Sequence, residues 1–292
     1  MLRRPRCYNA RVFRALVSLV PLTLALASAA GAAPVPHTET ADYGPVHAEL
    51  SYLYDADAFD STRFQDVRVR IVRAGKTLVD ASVAPRCQGC LAWPAGSASS
   101  PSLRALDLDG DGEPEVLIDL YTGGAHCCFY SRVYHFTGSG YALVSHLWGD
   151  PSYSLRDLNH DGRPEWLTRD DRFAYAFSCF ACSALPVRIY RYRAGVFTDV
   201  TRRFPALVRK DAKANWRFYL QNVRHHFDTS GFLPAYLADE ELLGRGAIGW
   251  KRVRGAVAKP AFVRDVSDAR WKNRGRYLLA LRRFLVRTGY IR

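Results

Sequence analysis

The chain has 292 residues, 48% of them hydrophobic and 24% charged, a length and composition that suffice for one large domain or two small ones with a true core. Beyond an N-terminal leader no run is long and apolar enough to cross a bilayer as a helix, so no transmembrane segment is expected after it. The formal charge of +13 is unevenly spread: residues 34–200 carry 15 basic and 21 acidic side chains (−6), whereas residues 201–292 carry 21 and 7 (+14). Such a division predicts two structural parts.

Residues 1–33 have the layout of a signal peptide. Arg3, Arg4, Arg6, Arg11 and Arg14 precede an apolar run over 15–27, and Ala27-Ser28-Ala29 or Ala30-Gly31-Ala32 supply small-residue cleavage positions. The run is shorter than the ~20 residues that span a bilayer, and Pro21 interrupts it, so an uncleaved anchor fits less well. Export is therefore expected, to the extracellular medium, the periplasm or the cell wall. Six of the seven cysteines lie past the leader as close pairs, Cys87/Cys90, Cys127/Cys128 and Cys179/Cys182. In an oxidising compartment they read as disulfides before they read as zinc ligands, although six cysteines allow about 15 pairings and spacing alone does not choose among them.

Residues 46–200 consist of short Val-, Ile-, Leu- and aromatic-rich runs cut by Gly, Asp and Pro, the pattern of an antiparallel β body. Val67-Arg68-Val69-Arg70-Ile71-Val72 alternates, turns at Ala74-Gly75-Lys76 and returns through Leu78-Val79 as a hairpin. Residues 94–101 show no periodicity and predict a loop. An internal repeat follows. Residues 107–115, DLDGDGEPE, recur fifty positions on as residues 157–165, DLNHDGRPE. Beyond the loops Arg132-Val133-Tyr134-His135-Phe136 aligns with Arg188-Ile189-Tyr190-Arg191-Tyr192, so the second copy carries about six extra residues, placed near Cys179 and Cys182. Each copy fits four short strands, the size of one propeller blade, and the hairpin at 64–83 is a candidate for an earlier unit without the acidic loop.

Within each loop the pattern D-x-[DN]-x-D-G suits a hard cation, because side chains at positions 1, 3 and 5 converge, glycine at 6 permits a sharp turn, and positions 7 and 9 add oxygens. The expected donors are Asp107, Asp109, Asp111, the Glu113 carbonyl and Glu115 in the first loop. In the second they are Asp157, Asn159, Asp161, the Arg163 carbonyl and Glu165. Calcium is the expected ion, with two sites, since magnesium asks for a more rigid shell that keeps water. An EF-hand is excluded: position 12 is Ile118 or Thr168, not a bidentate acid, and residues 116–120 read as a strand where that motif needs a helix. The rival is a solvated acidic turn, which two copies in register make less attractive. With their loops, following strands and aromatic-bearing hairpins, residues 103–200 resemble the FG-GAP/VCBS repeat family, whose calcium loops sit in β-propeller blades. That resemblance implies a calcium-bound, propeller-like body and suggests adhesion, but about three units are too few for a closed ring in one chain. The chain as a whole also resembles uncharacterised secreted bacterial proteins that carry such repeats.

The period then changes to that of helices. Val208, Ala212, Trp216, Tyr219 and Val223 share one face, and Trp271, Leu278, Leu281 and Leu285 form a later stripe that begins at a Ser267 N-cap and stops at Gly289. Shorter helices are expected over 235–243 and 248–253, with Gly244, Gly246 and Gly249 as breaks. Other constellations carry less. His126 beside Cys127-Cys128 suggests a Cys/His nucleophile, but adjacent cysteines in an exported chain read as oxidised. His225-His226 near Asp228 reads as a helix end before a metal site. The basic C-terminal segment, 201–292, has no nucleic-acid motif and suits a solvated helical face or attachment to an anionic polymer. The expected protein is thus a mainly antiparallel β body (34–200) followed by a basic helical region, α+β overall. It binds calcium and acts as a secreted, non-catalytic binding or scaffold protein for an unidentified protein or anionic polymer. The alternatives are a secreted hydrolase with structural calcium, or a wall-attachment protein held by its basic helices.

Overall fold

A computed structural model describes residues 33–291 apart from 89, 97–99 and 127. The predicted signal peptide, except Ala33, and Cys127 lie outside the described residues, as does the centre of the 94–101 loop. Three antiparallel sheets follow one another along the chain. The first has β1 (Val35–Tyr43), β2 (Val46–Tyr54), β3 (Phe64–Arg73) and β4 (Lys76–Ser82) in that order. The second runs from the short β5 (Trp93–Pro94) and β6 (Leu103–Leu106), both paired to β7 (Glu115–Tyr121), to β8 (Phe129–Phe136) and β9 (Tyr141–Gly149). The third has β10 (Tyr153–Arg156), β11 (Glu165–Arg169), β12 (Val187–Arg193) and β13 (Val196–Asp199).

Alternation along the strands decides how the sheets stack. On β7, Val116, Ile118 and Leu120 pack with Leu50 and Ile71 of the first sheet, while Leu117 packs with Val133, Trp148 and Trp166 towards the third. Both faces of the second sheet are thereby covered, which is why Val116, Leu117 and Ile118 of β7 are apolar in succession. A buried polar cluster reinforces this join: Asp119 pairs with Arg104 and accepts from Ser131 at 2.5 Å and from Tyr153, on the third sheet, at 2.7 Å. Among the described residues the three sheets stack in a row and close neither a barrel nor a propeller. The 64–83 hairpin is half of a complete four-stranded sheet. The edge strand β1, which pairs with β2, escaped the hydrophobic pattern because its VPHTETADY sequence lies almost wholly exposed.

The outer face of the third sheet meets helix α1 (Pro205–His225), through Val187, Ile189 and Val208. Asp211 anchors the helix by accepting from the Val187 amide at 2.9 Å and pairing with Arg169 at 2.8 Å. Helices α2 (Phe232–Leu242), α3 (Gly246–Ala258), α4 (Pro260–Asp265) and α5 (Arg274–Arg287) complete the region. Eight consecutive residues of α2, from Leu233 to Glu240, are buried, so α2 is the centre around which the other helices pack. The extra residues of the second copy form turns between β11 and β12 that insert Phe173 and Phe177 into this helical core.

Two helical expectations need correction. Gly249 does not break a helix; it lies within α3, where an added Cβ would stand 2.8 Å from the Glu240 Cβ, so glycine serves close approach of α3 to α2. Ser267 caps nothing: its hydroxyl goes to Asp228, and α5 starts later, with Asn273 accepting from the Arg276 amide at 2.9 Å. The buried stripe of α5 accordingly includes Tyr277, whose hydroxyl donates to the Ser230 carbonyl at 2.7 Å.

Candidate metal centre

The two acidic loops occupy matching places, between β6 and β7 and between β10 and β11. Their sheets pair in matching register: Val116 faces Tyr134 and Trp166 faces Tyr190. His135 beside Glu115 therefore corresponds to Arg191 beside Glu165.

In the first loop the Asp107 carboxylate organises the turn, accepting from the amides of Gly110 (2.7 Å), Asp111 (3.2 Å) and Gly112 (3.0 Å). Asp109 turns towards the third sheet, where one oxygen accepts from the Ala194 amide at 2.8 Å; the other, Oδ1, is buried without a partner, on a residue only 7% exposed. Glu115, the first residue of β7, is buried and accepts from the Leu108 amide at 2.8 Å. Asp107, Asp109 and Glu115 each bring an oxygen to within 4.8 Å of the others. Two oxygens bound to one calcium at about 2.4 Å stand no more than about 4.8 Å apart, so this spacing fits the ion. Among the described residues no basic side chain pairs with any of the three. Burial, and next the neighbouring aspartates, push the Glu115 carboxyl up to about 8. Asp111 accepts from the Glu113 amide at 2.8 Å and stands outside the converging three. The Glu113 side chain turns away to Arg73 of the first sheet, at 2.7 Å.

The second loop repeats the turn: Asp157 accepts from Asp161 and Gly162, Asp161 from Arg163, and Glu165 from Leu158. Its charge is arranged differently. One guanidinium nitrogen of Arg191 lies 2.5 Å from the fully buried Glu165 and 3.2 Å from Asp161. Asn159 donates its side-chain amide to Asp161 at 2.8 Å. Arg163 reaches back over the first loop, where a Cβ on Gly110 would stand 2.5 Å from its Nε; Gly110 also has φ +73°, so only glycine fits there. His160, its counterpart, adopts a similar backbone with φ 61°. The roles of Arg191 and His135 were missed from the sequence, although the aligned repeat already placed them opposite each other.

The remaining candidates disperse. Cys87–Cys90 and Cys179–Cys182 are disulfides within their pairs, with Cα atoms 5.2 and 5.0 Å apart, which sets the zinc alternative aside for them. Cys128 adjoins Cys127, outside the described residues. His126 is exposed and stacks on Phe180 with ring centroids 4.0 Å apart. His225 ends α1, His226 is its left-handed C-cap, and Asp228 is engaged by Ser178, Ser230 and Ser267.

A family model, the sll0997 C-terminal domain, matches residues 208–289. The chain is 35% identical over 156 residues to a probable thylakoid lumen protein, sll0997, of Synechocystis sp., covering 51% of this chain and 46% of that protein. It is 26% identical over 211 residues to the uncharacterized protein y4bJ of Sinorhizobium fredii, covering 71% of this chain and 31% of that one. The chain thus spans less than half the length of either relative. No solved structure matches. The resemblance to FG-GAP/VCBS repeats is overturned: the matching family is a different one and lies in the helical region. A nine-residue acidic turn joining two antiparallel strands is a local device, and it does not specify the ring in which that family uses it.

Proposed function

We propose that the chain is an extracytoplasmic, non-catalytic binding or scaffold protein whose β body takes one calcium ion in the first acidic loop, the second loop being closed by its own arginine. The observation that carries this reading is the contrast between the loops. The first converges three carboxylates with a buried, unpartnered oxygen on Asp109 and, among the described residues, no basic partner. In the second, Arg191 lies between Glu165 and Asp161. Carboxylates about 4 Å apart repel by roughly 1 kcal/mol per pair in water and more where burial lowers the dielectric, so each loop needs positive charge. Asp107, Asp109 and Glu115 would hold the ion, which supplies that charge and ties the loop to the start of β7; Asp111 keeps the turn tight. The paired cysteines and the relative described as a probable thylakoid lumen protein support an oxidising compartment outside the cytoplasm.

With a Kd on the order of 0.1 mM and free calcium near 1 mM, one ion stabilises the fold by about 1.4 kcal/mol. Thermal unfolding of the full chain should therefore rise by about 3–5 °C on replacing chelator with calcium. Asp109→Asn should abolish that rise and Asp161→Asn should leave it. A calcium response that survives Asp109→Asn contradicts the assignment.

A further inference from the structure

The helical region holds a cleft of about 600 Å³ between α1, α2 and α3, lined by cations on both sides. On α1, Arg209, Lys213 and Arg217 stand at i, i+4 and i+8, exposed and, among the described residues, without an acidic partner. Like charges at this spacing destabilise a helix by about 0.2–0.5 kcal/mol per pair, so the row is not explained by helix stability. The one acid of α1, Asp211, points away into the anchor with Arg169. Across the cleft Arg252 is held in place: its guanidinium lies 5.4 Å from the centroid of the Trp216 ring and donates to the Tyr236 hydroxyl at 3.3 Å. Among the described residues Glu240 is the single acid lining the cleft, and it is buried and already paired with Arg245 at 3.0 Å. A second cleft of about 580 Å³ shares Trp216 and Arg252 and adds Lys251 and Lys259, so the basic surface continues as a groove between α1 and α3.

We infer that this groove binds a soluble linear polyanion, represented in the test below by sugar chains that carry carboxylate or sulfate groups. A concave wall of unneutralised cations focuses potential onto a ligand lying between its sides. Its length across two adjoining clefts suits a chain with repeated charges better than a single small anion. A flat membrane surface cannot reach cations on facing walls at once. The inference deepens the binding role proposed above by naming the partner's chemistry. It stands apart from the ion, because the calcium response is measured separately on the same protein and either can fail alone.

The test is binding of two size-defined probes, a heparin octasaccharide and an octagalacturonate, followed by fluorescence polarisation across a salt series. A triple variant, Arg209→Gln with Lys213→Gln and Arg217→Gln, should weaken binding of the full chain by tenfold or more and flatten its salt dependence. A control with the same loss of charge, Arg276→Gln with Arg282→Gln and Arg283→Gln on exposed positions of α5, should stay within about twofold of wild type. Equal losses in the two triple variants overturn the inference, since binding would then follow net charge. Binding to phosphatidylglycerol vesicles but to neither probe overturns it as well. Circular dichroism and unfolding midpoints establish that both variants are folded before binding is compared.

Discussion

Six of nine residues are identical between the acidic loops, yet among the described residues the second has a basic side chain paired to its carboxylates and the converging carboxylates of the first have none. In the second, an arginine thirty positions downstream of Asp161 reaches back to it and to Glu165. In the first, the corresponding strand position is His135, whose imidazole packs so close to Gly195 that a Cβ there would stand 2.7 Å from it. A motif read by itself cannot separate these outcomes, because the deciding residue sits on the neighbouring strand. The loop sequence sets the turn, and the strand beside it sets whether a basic side chain reaches the carboxylates.

That comparison is tested first where the effect is largest. Arg191→Met keeps length and apolar bulk but leaves buried Glu165 without its partner, and should cost about 3 kcal/mol in urea unfolding without calcium. Calcium should restore part of the loss, and a loss below about 0.5 kcal/mol would mean that Arg191 is not the neutralising cation. A second effect belongs to neither loop and has to be separated from them. Burial, and next repulsion from Arg86 and Arg188, lower His146 to about 4; its ring lies against Trp148, Phe197 and Tyr190. The folded imidazole stays neutral where the unfolded one protonates, near pH 6.5. Stability present above pH 6.5 is therefore lost as pH falls towards 4, by about 2 kcal/mol once partial exposure is allowed for. His146→Phe should remove this loss, read as the difference between the wild-type and variant profiles between pH 4 and 6.5, and two profiles of the same slope would reject this origin.

Smaller effects sharpen the contrast between the turns. Gly110→Ala forces a Cβ into the left-handed region and against Arg163, and should cost about 1–2 kcal/mol. His160→Gly, at the matching position, should change stability by only a few tenths, because that turn already accommodates a side chain. Equal responses would show that Arg163 does not constrain the first loop.

Much of the fold is legible in local pattern. The hairpin at β3–β4, the strands leaving each loop and the long amphipathic α1 all follow from periodicity and turn residues. What escaped depends on contacts between distant segments. β1 has no apolar face, and its ladder with β2 is its visible reason for being a strand. Gly249 signals a break until α2 is placed beside it. Ser267 looks like a cap until Asp228 is seen to hold it. The disulfide partners and the basic groove likewise require the packed chain, and the acidic repeat suggested a family that its few residues are too local to specify.

The two loops are told apart most directly by the number of ions the chain takes up. Calorimetric titration of the calcium-free full chain should give one calcium per chain, and none with Asp109→Asn. Two ions per chain, or one ion retained by Asp109→Asn, would mean that the first loop is not the single calcium site.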